Sequence, residues 1–107
     1  MSSDAAGDSS PTAENGSPVL TRTVVIRNRR GLHARAAAKF VSLAERFGAS
    51  VDILKDGQSV SSRSIMGLMM LGAGQGSRIE MRAEGWDAKE ALEALAALVE
   101  SGFNEQD

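Results

Sequence analysis

The chain has 107 residues, 42% of them apolar and 24% charged, with a formal net charge of −2, which suffices for one small domain and not for two. It contains no cysteine and a single histidine, so disulfides and thiolate metal sites are excluded and a metal centre built on imidazoles is not expected. Aromatic residues make up only 4%, which leaves little room for a large buried cofactor; none is expected. No apolar run reaches the length of a membrane span, and the N-terminus lacks the basic and apolar layout of a secretory signal. A cytoplasmic protein without membrane association is the expectation.

The charge is unevenly spread. Arg22, Arg27, Arg29, Arg30, Arg35 and Lys39 fall within residues 22–39 with no carboxylate among them, whereas residues 80–107 hold eight carboxylates against Arg82 and Lys89. A positive surface region suits an anion or an acidic protein partner. Nucleic acid is disfavoured as a partner because the domain as a whole is not basic and no aromatic residues are interleaved with the arginines. A nucleic-acid binder would betray itself by a steep salt dependence of oligonucleotide affinity.

Residues 1–18 are rich in Ser, Ala, Gly, Asp and Pro without periodicity and read as a disordered tail ahead of a folded domain at 19–107. Val24 and Ile26 alternate with Thr23 and Val25 in a first strand at about 20–27, followed by a turn from Asn28 to Leu32 in which Gly31 is free to take a positive φ. A helix is predicted from about Ala34 to Phe47, buried through Ala37, Phe40, Val41 and Ala44 and stopped by Gly48 at C′. Val51 and Ile53 mark a second strand, Asp56-Gly57 a hairpin turn, and Val60 a short third strand. Ser64 is placed as the cap of a one- to two-turn helix that carries Ile65, Met66, Leu68, Met69 and Met70 and ends at Gly72, Gly74 and Gly76. Ile79, Met81 and Ala83 alternate with charged residues in a fourth strand. Asp87 and Glu90 form a capping-box-like start to a last helix, whose apolar stripe is Ala88, Ala91, Leu92, Leu95, Leu98 and Val99 and which Gly102 closes. The order β-α-β-β-α-β-α, with strands wet on one face and helices dry on one face, predicts an α+β domain in two layers, helices covering one side of an antiparallel sheet.

His33 is the residue around which the chemistry gathers. It sits where a helix begins, among arginines, and a helix start offers unpaired N–H groups and a positive dipole end that attract phosphate. An imidazole there, nucleophilic near neutral pH, suggests a histidine that carries a phosphoryl group, steadied by first-turn N–H groups and by Arg35. A lone histidine at such a place also serves simply as a cap or a surface residue. The lack of a neighbouring carboxylate in the sequence argues against a hydrolase-type dyad and for a carrier, whose ring should lie exposed for transfer. Ser64, beside Arg63, combines a capping role with that of a phosphorylation site. Ile65, Met66, Met69 and Met70 cannot all point inward from so short a helix, and the remainder form an adaptable docking surface. Gly72-Ala73-Gly74-Gln75-Gly76 lacks the Lys-Ser/Thr of a phosphate loop and reads as a turn.

Taken together, the motifs Asn28-Arg29-Arg30-Gly31-Leu32-His33-Ala34-Arg35, Arg63-Ser64-Ile65-Met66-Gly67-Leu68-Met69, Leu71-Gly72-Ala73-Gly74-Gln75-Gly76 and Ala83-Glu84-Gly85 resemble those of the HPr family, the histidine-containing phosphocarriers of the bacterial phosphotransferase system. The likeness spans about residues 20–104. It implies an open-faced β-sandwich, a four-stranded antiparallel sheet covered on one face by three helices. It further implies a monomer in which His33 takes a phosphoryl group on Nδ1 from enzyme I, itself charged by phosphoenolpyruvate, and gives it to a histidine of a IIA-type protein. Arg35 would hold the phosphoryl oxygens and Asn28 would orient the site. Ser64 matches the serine modified by HPr kinase/phosphorylase, and its neighbours Ile65, Met66 and Met69 match partner-docking positions.

Two departures stand out: Ala36 occupies the position after the active-site arginine where the family usually has proline, and the tail at 1–18 is absent from shorter members. Alanine variants of this segment resemble the nitrogen-related, regulatory branch; the sugar-uptake branch stays open beside it. The alternative to a phosphoryl relay is a non-catalytic regulatory module that binds partners according to the state of Ser64.

Overall fold

The computed structural model describes residues 18–105. The tail expected at 1–18 therefore lies, apart from Pro18, outside the described residues. The elements are β1 (Leu20–Val25), α1 (Ala34–Ala44), β2 (Ser50–Lys55), β3 (Gln58–Ser61), α2 (Ile65–Met70), β4 (Arg78–Glu84) and α3 (Ala88–Glu100), the β-α-β-β-α-β-α order expected.

All strand pairings are antiparallel, in the order β1-β4-β2-β3. β1 and β2 thus run parallel with β4 slotted between them, and β3 and β4 run parallel with β2 between them. The sheet is complete only when the last strand enters its middle. Alternation decides which face is dry: Val24, Val51, Ile53, Ile79, Met81 and Ala83 are buried while Thr23, Asp52 and Arg82 face water. α3 lies against β1 and β4, α1 packs on α2 and α3, and α2 adjoins β3. This is the open-faced α+β sandwich, with a mainly aliphatic core that also buries Phe40 and Phe103 completely, beside Ile53, Met81 and Leu95. Between β2 and β3, Asp56 (φ 50°) and Gly57 (φ 82°) form the two-residue turn with both φ positive that matches the twist of a hairpin.

Three local expectations need correction. Strand β1 ends its regular pairing at Val25 rather than residue 27, although Ile26 still exchanges backbone hydrogen bonds with Ser77 and Gly76 (both 2.8 Å). Helix α1 stops at Ala44, not Phe47; Arg46 and Phe47 donate to carbonyls three residues back, the tightened pattern of a helix running out. Gly48 is not its C′ residue, since the C-cap is Glu45. Its lack of a side chain serves another contact, as a Cβ there would lie 2.8 Å from the indole Nε1 of Trp86. Asp87, finally, makes no side-chain capping bond to α3. Its buried carboxylate instead accepts the N–H groups of Gly48 (2.9 Å) and Ala49 (2.8 Å), tying the α1–β2 loop to the start of α3. Two converging amides of a distant loop outcompete one amide of its own helix.

Gly102 closes α3 as expected. Its N–H (φ 70°) bonds to the carbonyl of Val99 and that of Phe103 to Leu98, the paired bonds of a Schellman ending, with Phe103 fully buried.

Candidate functional site

Three chain segments meet at one end of the sheet: the turn after β1, the loop before β4 and the chain after α3. In the first, Gly31 N–H bonds to the Asn28 carbonyl (3.2 Å) and Asn28 Nδ2 to the Gly31 carbonyl (2.9 Å). Gly31 has φ +67°, and a Cβ on it would fall 2.4 Å from the Ala73 carbonyl oxygen. Only glycine lets this turn lie flat on the second segment, where Leu32 N–H then bonds to that same oxygen (2.9 Å). The turn is rigid by construction, and it delivers His33.

His33 is the N-cap of α1, with extended backbone (φ −74°, ψ 178°), and its ring Nδ1 accepts the N–H of Arg35 (3.2 Å). The capping role open to a lone histidine at such a place is thus filled through Nδ1. Because Nδ1 accepts, the proton of the neutral ring belongs on Nε2. There it meets the carboxylate of Glu105, in a close hydrogen bond to Oε2.

Sequence reading missed Glu105 and took the site to be free of carboxylates; the third segment overturns that. After Gly102, Phe103 and Asn104 also have positive φ (58° each), turning the chain left-handed back over Asn28. Phe103 plugs into the core, Lys39 Nζ holds its carbonyl (2.7 Å), and Glu105 N–H bonds to the Gly102 carbonyl (3.1 Å). The signal that foretells the return is the Gly102-Phe103 pair, a left-handed residue followed by an apolar one that must find cover. It does not foretell which residue the cover brings Glu105 against.

The Glu105 carboxylate also accepts from Asn28 Nδ2 through Oε1 (3.1 Å). Burial pushes its pKa up, but the hydrogen bonds from His33 and Asn28 and the electrostatic pull of His33 and Lys39 outweigh burial and hold it below the usual glutamate value. With Glu105 over its Nε2 edge, the His33 side chain is only 15% exposed, so the expectation of an openly exposed ring is corrected: one edge is covered, and Nδ1 faces the first turn of the helix.

The remaining candidates fall as follows. Asn28 is buried (4%) and bridges Gly31 and Glu105. Arg35 contributes its backbone N–H to Nδ1, while its exposed side chain lines a groove with Lys39, Ser42, Arg46 and Asn104. Ser64 caps α2, its Oγ accepting Gly67 N–H (2.9 Å). On α2, Leu68 alone is buried; Ile65 (40%), Met66 (69%), Met69 (40%) and Met70 (74%) are exposed. Met69 shares a surface recess with His33, Arg30, Leu32 and Ala73, so the methionine surface and the histidine adjoin.

A family model described as the PTS HPr component phosphorylation site matches residues 20–101. The chain belongs to the HPr family, the phosphocarriers of the phosphotransferase system. It is 45% identical over 87 residues to the phosphocarrier protein HPr of Cupriavidus necator, covering 81% of this chain and 98% of that one. It is 44% identical over 86 residues to the phosphocarrier protein NPr of Shewanella violacea, covering 80% and 94%. The solved HPr of Thermoanaerobacter tengcongensis matches with a TM-score of 0.78 at 44% identity, covering 82% of this chain and 99% of that chain; a dimeric form of HPr from that organism is also known.

Proposed function

We propose that His33 is the phosphoryl-bearing residue, charged on Nδ1 by enzyme I and discharged to a histidine of a IIA-type protein. The observation that carries this is the Nδ1 lone pair, held at the N-cap of α1 where its present partner is a backbone N–H. In the transfer, the N–P bond of the donor breaks, its electron pair stays on the donor nitrogen, and the His33 lone pair forms the new N–P bond. The Arg35 N–H then bonds to a phosphoryl oxygen in place of Nδ1, joined by the N–H groups of the first turn and by the flexible Arg35 guanidinium. Further positive groups come from the partner, as a loose phosphoryl transition state requires mainly positioning and charge. Asn28 fixes the turn beneath the ring. Ile65, Met66, Met69 and Met70 form the surface on which partners dock, beside the ring they must reach. The carrier works in the cytoplasm as a monomer.

Ser64 is the regulatory site, modified by an HPr kinase/phosphorylase. Its Oγ heads the helix that bears the docking surface, so a phosphate there places a double negative charge at the edge of the interface while remaining favourable to the helix start. This same observation supports the second reading, a binding module governed by Ser64 alone.

Incubation with enzyme I and phosphoenolpyruvate, followed by intact mass, separates the two. A relay gains one acid-labile phosphate that is lost in His33→Ala. A chain that gains only acid-stable phosphate, and only with kinase and ATP, is a module.

A further inference from the structure

Glu105 is a half-buried carboxylate on the ring of the proposed carrier, and nothing in the relay as described uses it. The chain goes to some lengths to put it there. Gly102, Phe103 and Asn104 are three successive left-handed residues, a backbone that is strained at each non-glycine position. Phe103 inserts fully into the core, Lys39 clamps the Phe103 carbonyl, and Asn28 Nδ2 aims the carboxylate by holding Oε1. The carboxylate's other oxygen then takes Nε2, the ring nitrogen that does not bear phosphate.

We infer that Glu105 is a positioning residue for phosphoryl exchange, acting through His33 by holding a proton on Nε2 in both the free and the phosphorylated ring. The inference rests on the carrier reading of His33. In the free ring, a proton fixed on Nε2 leaves the lone pair on Nδ1, facing the incoming phosphorus, so no tautomer change precedes attack. Once Nδ1 forms the N–P bond with Nε2–H in place, the ring is a cation, and the Glu105 carboxylate neutralises it. When the phosphoryl group departs, the N–P pair returns to Nδ1 and a neutral imidazole leaves. If Nε2 had lost its proton, the leaving group would be an imidazolate, a far poorer one. Glu105 thereby keeps the N–P bond transferable. The orienting carboxylate of a Ser-His-Asp triad works on the same logic, holding an imidazole in one tautomer and balancing the cation it becomes.

The test uses the full chain and the variants Glu105→Gln, which keeps an acceptor near Nε2 but no charge, and Glu105→Ala, which keeps neither. Ring ¹⁵N shifts of His33 report the tautomer directly. Phosphorylation by enzyme I and spontaneous loss of phosphate report the chemistry, and thermal melts confirm that each variant is folded. The expected result is a wild-type ring protonated on Nε2, mixed tautomers in Glu105→Ala and partial rescue of the tautomer in Glu105→Gln. Phosphorylation should slow about three- to tenfold in kcat with little change in KM, because the docking surface on α2 is untouched. The phosphorylated variants should deprotonate at Nε2 at lower pH than wild type. Equal rates and unchanged ring shifts in all three proteins overturn the role of Glu105 while leaving the carrier intact, as does a loss confined to KM. A wild-type chain that takes no phosphate overturns the carrier reading and, with it, this role.

Discussion

A single imidazole at the head of a helix has two nitrogens with different neighbours, and that asymmetry organises the chemistry of this site. Nδ1 looks at a backbone N–H, which in the proposed carrier a phosphoryl oxygen takes over; Nε2 looks at a carboxylate. The carboxylate leaves a trace in stability as well. Burial raises its pKa, and the hydrogen bonds from His33 and Asn28 with the pull of His33 and Lys39 more than reverse this, so its folded-state pKa lies below the unfolded one. A depressed carboxylate stabilises the fold at pH values above its unfolded pKa and loses that contribution as pH falls through its folded value. Chemical denaturation of wild type and Glu105→Gln should therefore show wild type the more stable at neutral pH, with the gap closing below about pH 4. A gap that stays constant down to pH 3 contradicts a depressed Glu105 pKa.

Helix α1 was legible from its spacing: Ala37, Phe40, Val41 and Ala44 all turn inward, and Ala36 joins them. Its first turn carries Ala36, where the family resemblance leads one to expect proline; this is the third residue after the cap, where proline is tolerated because its missing N–H has no intrahelical duty. Ala36→Pro should keep the fold, shifting stability by no more than about 1 kcal/mol, and should change the rate of phosphorylation by enzyme I only modestly, as one first-turn donor is removed while the Arg35 N–H stays. Thermal melts and single-turnover kinetics check both halves; a collapse in melting temperature would show that the helix begins elsewhere. Helix α2 shows the complementary case. Six residues with only Leu68 and the following Leu71 buried cannot hide their methionines, so the exposed patch follows from shortness, as expected from sequence.

At the scale of the whole molecule, the two ends of the sheet do different work. At the end remote from His33, Asp87 takes two loop amides and Gly85 (φ 137°) passes so close to Ala49 that a Cβ would lie 2.8 Å from its Cα. This junction joins α1, β2 and α3. Asp87→Ala strands two amides and should cost about 2–4 kcal/mol, a fall in melting temperature of roughly 10 °C or more for a domain of this size. Phosphate uptake on His33 at low temperature should persist, since the site lies at the opposite end of α1. Loss of uptake in a folded Asp87→Ala protein would mean that the two ends are coupled.

The sequence by itself determined the element order, the dry faces of β1, β2, β4 and α1 and most of that of α3, the Asp56-Gly57 hairpin, the Ser64 cap and the placing of His33 at a helix start, because each depends on residues within a few positions of one another. It also carried, through its motifs, the likeness to the HPr family. What lay beyond it were contacts between residues far apart in the chain. Asp87 forsakes its own helix for Gly48 and Ala49, and Glu105 crosses 72 positions to reach His33. Periodicity and capping rules see only neighbours along the backbone, whereas the choice of partner for a buried carboxylate is settled by which donors the packed core brings within reach.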